Sequence, residues 1–117
     1  MGDRGNIVMR EEGKPDIYFY AHWSGSELPA IVRRTLAKKE RWDDAPYLCR
    51  MVFCELVKGS ESGSTGFGIS TEECDNQHEY VIVDMTKQRI EVGQASWSFE
   101  EFVLCPDDDF EHWFESF

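Results

Sequence analysis

Apolar and polar positions are ordered most clearly in the stretch from Asp16 to Gly25. There Ile17, Phe19, Ala21 and Trp23 fall on one face of an extended chain, and Tyr18, Tyr20 and His22 fall on the other. Both faces carry apolar or aromatic side chains, so this strand is expected inside a sheet rather than at its border. Residues 6–11 alternate more loosely, with Ile7 and Met9 set against Asn6, Val8 and Arg10. Glu12-Gly13-Lys14-Pro15-Asp16 between them has the composition of a turn. An antiparallel hairpin is the expected result.

After Ser24-Gly25-Ser26 the apolar spacing changes to three and four. Leu28, Ile31, Val32, Thr35 and Leu36 form one stripe of a helix that Ser26 can cap and whose first turn accommodates Pro29. A second helix is expected beyond Arg41-Trp42-Asp43-Asp44-Ala45-Pro46, with Asp43 or Asp44 as its cap. Tyr47, Leu48, Met51, Val52, Leu56 and Val57 form its broad apolar surface, and Gly59 forms its left-handed stop. Thr65 to Thr71 reads as a short strand or structured loop. Its glycines, Gly66 and Gly68, flank one aromatic and let the backbone approach a ligand or a neighbouring strand closely. Residues 79–85 and 89–93 read as a second hairpin, and Ser98-Phe99-Glu100-Glu101 has the spacing of a capping box before a short helix.

This order predicts an α+β fold: a single layer of antiparallel or mixed sheet covered by two helices, with a C-terminal helical region. Residues 1–105 read as one domain and 106–117 as an acidic aromatic tail. In the tail Phe110, Trp113, Phe114 and Phe117 share one helical face behind Asp107, Asp108 and Asp109, so the tail can dock on its own domain or on a partner.

Composition narrows the function. A chain of 117 residues, 41% hydrophobic, suits one globular domain. No apolar run reaches membrane-spanning length and the N-terminal stretch lacks a signal-peptide layout, so a cytoplasmic location without a membrane partner is expected. Cys49, Cys54, Cys74 and Cys105 form no Cys-x-x-Cys pair and read as small hydrophobes in a reducing compartment. No metal and no cofactor is expected, and a site built from Cys74 and His78, or from His22, His78 and Asp75 or Asp84, has no supporting spacing. The net charge of −11 argues against direct nucleic-acid binding and leaves two explanations, solubility or attraction to a basic partner.

Several blocks resemble a family of small uncharacterised proteins of actinobacteria and their phages. They are Gly2-Asp3-Arg4 with Asn6, Tyr20 to Gly25, Arg41 to Leu48 with Arg50, Gly66 to Thr71, Asp75-Asn76 and Val83-Asp84, within residues 2–103. The resemblance brings no established activity. A phage context implies a counter-defence role, in which a small acidic protein blocks a host nuclease or sequesters a signalling nucleotide.

Two binding functions follow as expectations, with catalysis third. In one, a non-enzymatic inhibitor meets a basic, nucleic-acid-binding protein through Asp107, Asp108, Asp109, Phe110, Trp113, Phe114 and Phe117. In the other, a nucleotide-like ligand is held by Arg4, His22, Trp23, Arg50, Gly66, Gly68, Ser70, Thr71, Asp75 and Asn76: arginine for phosphate, tryptophan for stacking, glycine-flanked backbone for close approach. No catalytic residues are assigned. A hydrolase would need Ser24 or Ser70 with His22 and Asp75, without a nucleophile elbow in the sequence.

Overall fold

The loosely alternating first segment becomes the middle of the sheet. In the computed structural model, which describes residues 2–117, six strands run in the order β3-β2-β1-β4-β5-β6. Met1, the first residue of the N-terminal stretch read above, lies outside the described residues. The strands are β1 (Gly5–Arg10), β2 (Ile17–Ala21), β3 (Phe67–Ser70), β4 (Val81–Asp84), β5 (Arg89–Val92) and β6 (Ala95–Ser98). β1 pairs antiparallel with β2, setting Ile7 opposite Phe19, and parallel with β4, setting Ile7 opposite Val81. The remaining neighbours are antiparallel, so the sheet is mixed.

The aromatic strand β2 is interior, as its two-sided pattern predicts. β1 is nevertheless the more deeply covered of the pair: Gly5 to Met9 are all buried, whereas in β2 only Phe19 and Ala21 are. One face of the sheet holds the core. Ile7, Met9, Phe19, Ala21, Val81, Val83, Ile90 and Val92 pack against the apolar stripes of α1 (Leu28–Leu36) and α2 (Ala45–Val57). The α1 stripe is the one the three-and-four spacing predicts, whereas in α2 only Leu48, Val52, Leu56 and Val57 are buried and Tyr47, expected on its apolar surface, is exposed. Ser26 does not cap α1 as expected. It lies in a 3-10 turn (Gly25–Glu27) ahead of the helix, and both its N–H and its hydroxyl donate to Asp3 Oδ2, at 3.0 and 2.6 Å.

β6 is absent from the sequence reading. Val92 pairs with Ala95, so Gly93-Gln94 make a two-residue hairpin turn, with Gly93 at φ +59° as the first position of a type II′ turn requires. The strand itself is Ala-Ser-Trp-Ser, whose small polar residues carry little strand propensity. Directly after it Ser98 starts α3 (Phe99–Leu104) with the expected capping box: Glu101 N–H donates to Ser98 Oγ at 3.0 Å, and Ser98 N–H donates to Glu101 Oε1 at 2.7 Å.

The acidic aromatic tail is α4 (Asp107–Trp113), and it docks on its own domain. Phe110 is buried and meets Phe102 edge to face at 5.2 Å, Phe114 packs on both, and Trp113 stacks on Trp97 at 4.7 Å. Arg33 of α1 clasps the helix: its guanidinium pairs with Asp107 at 2.9 Å, donates to the Cys105 carbonyl and lies 4.5 Å above the Phe110 ring. The aromatic stripe proposed for a partner is therefore mostly turned inward in this fold, while Asp108 and Asp109 remain exposed. Among the described residues no helix is long and apolar enough to cross a membrane.

Truncating a buried aromatic leaves a cavity as well as removing apolar contact, so Phe110→Ala is expected to cost about 3 kcal/mol in urea unfolding. Ser98→Ala, which removes one cap bond, is expected to cost about 1 kcal/mol with an unchanged denaturant slope.

Candidate ligand site on the open face of the sheet

Side chains alternate across a strand, so the residues between the core positions point away from the helices. On β1 these are Asn6, Val8 and Arg10, with Arg4 just before the strand. On β2 they are Tyr18 and Tyr20, with His22 just after, and on β3 they are Gly68 and Ser70. Water does not reach the middle of β1 even here: Asn6 is fully buried and Val8 is 2% exposed. The cover is the segment 71–80 between β3 and β4. Its Gln77 N–H donates to the Arg4 carbonyl at 2.9 Å, while Arg4 N–H donates to Gln77 Oε1 at 2.8 Å. Asn6 Nδ2 donates to the carbonyls of Cys74 and Asp75, and Tyr80 meets Tyr18 edge to face at 6.1 Å. Burial holds the Tyr18 and Tyr80 hydroxyls above the usual tyrosine range, helped by nearby acids (Asp16 and Glu73 for Tyr18, Glu73 for Tyr80), so both remain protonated donors.

The cover stops short of β3, where a shelf remains. Opposite Tyr20, Gly68 presents bare backbone: a Cβ built there would find only the Tyr20 Cβ, at 4.0 Å. At the end of the shelf Gly66 has φ +100°, and a Cβ on it would come within 3.0 Å of the Trp23 ring, so only glycine lets the indole lie on the backbone there. Trp23 is held in this way and is still 56% exposed. His22 stands edge-on to it at 4.7 Å, with its N–H donating to the Gly66 carbonyl and its Nδ1 hydrogen-bonded to the Tyr20 hydroxyl at 2.7 Å. His22 Nε2 faces Gly2, whose missing Cβ would also touch Arg4 Cγ, which makes Arg4, His22 and Trp23 one contiguous row. Among the described residues no carboxylate lies within 4 Å of the Arg4 guanidinium, unlike those of Arg10, Arg33, Arg34 and Arg41.

Behind this row Asp3 joins separate parts of the chain. Its Oδ2 takes the two Ser26 donors and its Oδ1 pairs with His78 Nε2. His78 Nδ1 is 2.8 Å from the Phe117 carbonyl oxygen, and its ring stacks on Phe117 at 4.7 Å. His78 foremost, then Ser26, hold the Asp3 carboxyl below the usual carboxylate range. A serine, an aspartate and a histidine thus meet, but the carboxylate sits in the middle. A hydrolytic triad needs the imidazole between serine and carboxylate, to take the hydroxyl proton, and here the Ser26 hydroxyl donates to Asp3 instead.

Of the residues expected to hold a ligand, Arg4, His22, Trp23, Gly66, Gly68 and Ser70 share this face. Asp75 and Asn76 lie in the covering segment. Asn6 Oδ1 and Asn76 Oδ1 are both buried without a protein donor. Thr71 is exposed beyond β3, and Ser70 Oγ accepts the Glu72 N–H at 2.9 Å rather than facing His22. Arg50 is the misplaced member. It belongs to α2 on the opposite face, beside Pro46, Phe53 and Ile69, and cannot join the row. Gln77 was not anticipated, nor were the contacts of Asp3 with Ser26 and His78, because these contacts span 23 to 75 residues and leave no local signal. Cys74 and His78 take separate partners, Glu72 carbonyl and Asp3, and among the described residues no group of three His, Cys, Asp or Glu side chains could hold a metal ion. Comparison of the chain with protein-family models, with curated proteins and with solved structures finds no match.

A carboxyl that is more acidic in the folded than in the unfolded chain adds stability above its unfolded pKa. That stability is lost as pH falls from the ordinary value of 3.8 through the lowered one. Asp3→Asn is therefore expected to be destabilised relative to the parent at neutral pH, the gap closing as pH drops below that window in urea titrations.

Proposed function

We propose that this protein is a non-enzymatic binder of a small molecule with a flat aromatic ring and an anionic group, of which a mononucleotide is the model. The observation that carries the reading is Trp23: a large indole left more than half exposed, yet fixed by Gly66 beneath it and His22 beside it. Such a ring offers a stacking surface at little ordering cost, and base stacking on an aromatic is worth about 1–3 kcal/mol. The Gly68 shelf admits a planar group against backbone, and Arg4 supplies a guanidinium without an internal carboxylate partner at the other end of the row. The row runs across neighbouring strands about 5 Å apart, so ring and anion sites stand at the separation found within one mononucleotide-sized molecule. Sequestration of such a ligand needs no chemistry, in keeping with the arrangement of Ser26, Asp3 and His78.

Adenosine and guanosine monophosphates are suitable probes, read by calorimetry and by tryptophan fluorescence. At least one is expected to bind and to quench emission. The quench is expected to vanish in Trp23→Ala, and affinity to fall at least tenfold in Arg4→Ala. Gly68→Leu is the sharper control: its strand backbone is ordinary and its surroundings are open, so the fold survives while the shelf is filled. Binding that persists in all three variants would overturn the assignment.

A further inference from the structure

Away from the open face, α3 and α4 leave a groove of about 480 Å³ between them. Its apolar surface is Trp97, Leu104, Pro106 and Trp113. Leu104 is 63% exposed and Trp113 38% exposed, so two large apolar side chains stand side by side in water. A single exposed leucine needs no explanation, whereas a groove floored by stacked indoles and edged by a leucine is a surface that gains by being covered. The groove also has one sign of charge: Glu100 and Asp109 line it and no lysine or arginine does. Among the described residues neither of these carboxylates forms an ion pair, whereas Glu101 is engaged in the capping box and Asp107 with Arg33. The occupant must therefore bring apolar contact and positive charge together.

We propose that the α3–α4 groove docks a basic polypeptide segment of another protein. One aliphatic side chain of that segment sits against Leu104 and Pro106, and a lysine or arginine lies over the exposed Trp113 face or pairs with Glu100 or Asp109. Cation–π contact and charge-assisted pairing both favour arginine in that place. The net charge of −11 speeds the encounter with such a segment and repels nucleic acid and acidic chains. The site differs from the tail surface expected from sequence: Phe110, Phe114 and Phe117 are committed to the protein's own core, and Glu100, Leu104 and Trp97 take their place. It is also independent of the ligand row, so either can fail without the other.

An alternating arginine–leucine octapeptide tests it, beside an arginine–serine octapeptide of equal charge and a glutamate–leucine octapeptide, by calorimetry on the full chain at low and physiological salt. The arginine–leucine peptide is expected to bind, at least tenfold more tightly than either control, and to weaken as salt rises. Leu104→Ser, and separately the Glu100→Gln, Asp109→Asn double variant, are expected to lose at least tenfold in affinity; all three positions are exposed, and the neutral amides put no cation at the first turns of α3 and α4, so the fold survives. Trp23→Ala is expected to bind the peptide as the parent does. Equal binding of the arginine–serine peptide would mean charge alone is at work. That result, no binding at all, or variants that bind like the parent would each overturn the proposal.

Discussion

Burial of β1 on both of its faces is the constraint from which the rest follows. One face is satisfied in the ordinary way, by α1 and α2 laid over Ile7 and Met9. The other carries Asn6 and Val8, and no helix lies over it. A buried amide group left without partners costs about 1–3 kcal/mol, and Asn6 Nδ2 finds acceptors in the carbonyls of Cys74 and Asp75, whereas its Oδ1 finds no protein donor. The irregular segment 71–80 is therefore held down by a strand that needs a cover. Because the segment is anchored at β1, it leaves β3 uncovered, and the shelf beside Tyr20 and Trp23 is what remains.

Much of this was legible along the chain. The hairpin of β1 and β2, both long helices, the second hairpin and the capping box at Ser98 rest on short-range signals: alternation, three-and-four spacing, turn residues and caps. The residues that the fold gathers into the candidate row were mostly visible too, because Gly66 and Gly68 around Phe67 and the His-Trp pair after an aromatic strand are local features. Failures came where a fact is set by distant partners. Arg50 looks like a phosphate ligand in a list of arginines, but the apolar stripe of α2 packs on the core face of the sheet and takes Arg50 with it. Ser26 looks like a cap, but Asp3, 23 residues away, takes its donors. β6 had three small residues around Trp97, and its strand character comes from lying against β5.

Asp3 deserves its place beside the glycines in any account of the site. It ties the chain just before β1 to the turn that opens α1, and through His78 to the segment 71–80 and Phe117. Both ring nitrogens of His78 face an acceptor, Asp3 Oδ1 on one side and the Phe117 carbonyl on the other, so the imidazole bridges the two. Arg4 follows Asp3 directly and is pinned by Gln77. The backbone under the ligand row is therefore fixed by the same contacts that close the cover and hold the end of the tail.

Charge then divides the molecule into two kinds of surface. In a chain with 23 acids against 12 bases, Arg10, Arg33, Arg34 and Arg41 pair with a carboxylate, while among the described residues Arg4, Arg50 and Arg89 form no ion pair. At Arg4 the neighbouring Asp3 carboxylate is directed to Ser26 and His78 rather than to the guanidinium. Around α3 and α4 the situation is reversed: the carboxylates of Glu100 and Asp109 are the ones without internal partners, and they flank apolar groups instead of a polar shelf. On the proposed readings, a long-range negative field would slow an anionic ligand's approach to Arg4 and speed a basic segment's approach to the groove, and added salt would weaken both effects. Affinity for an anion at the proposed row would then have to come from short-range contact, stacking on Trp23 and a directed guanidinium bond, rather than from attraction at a distance.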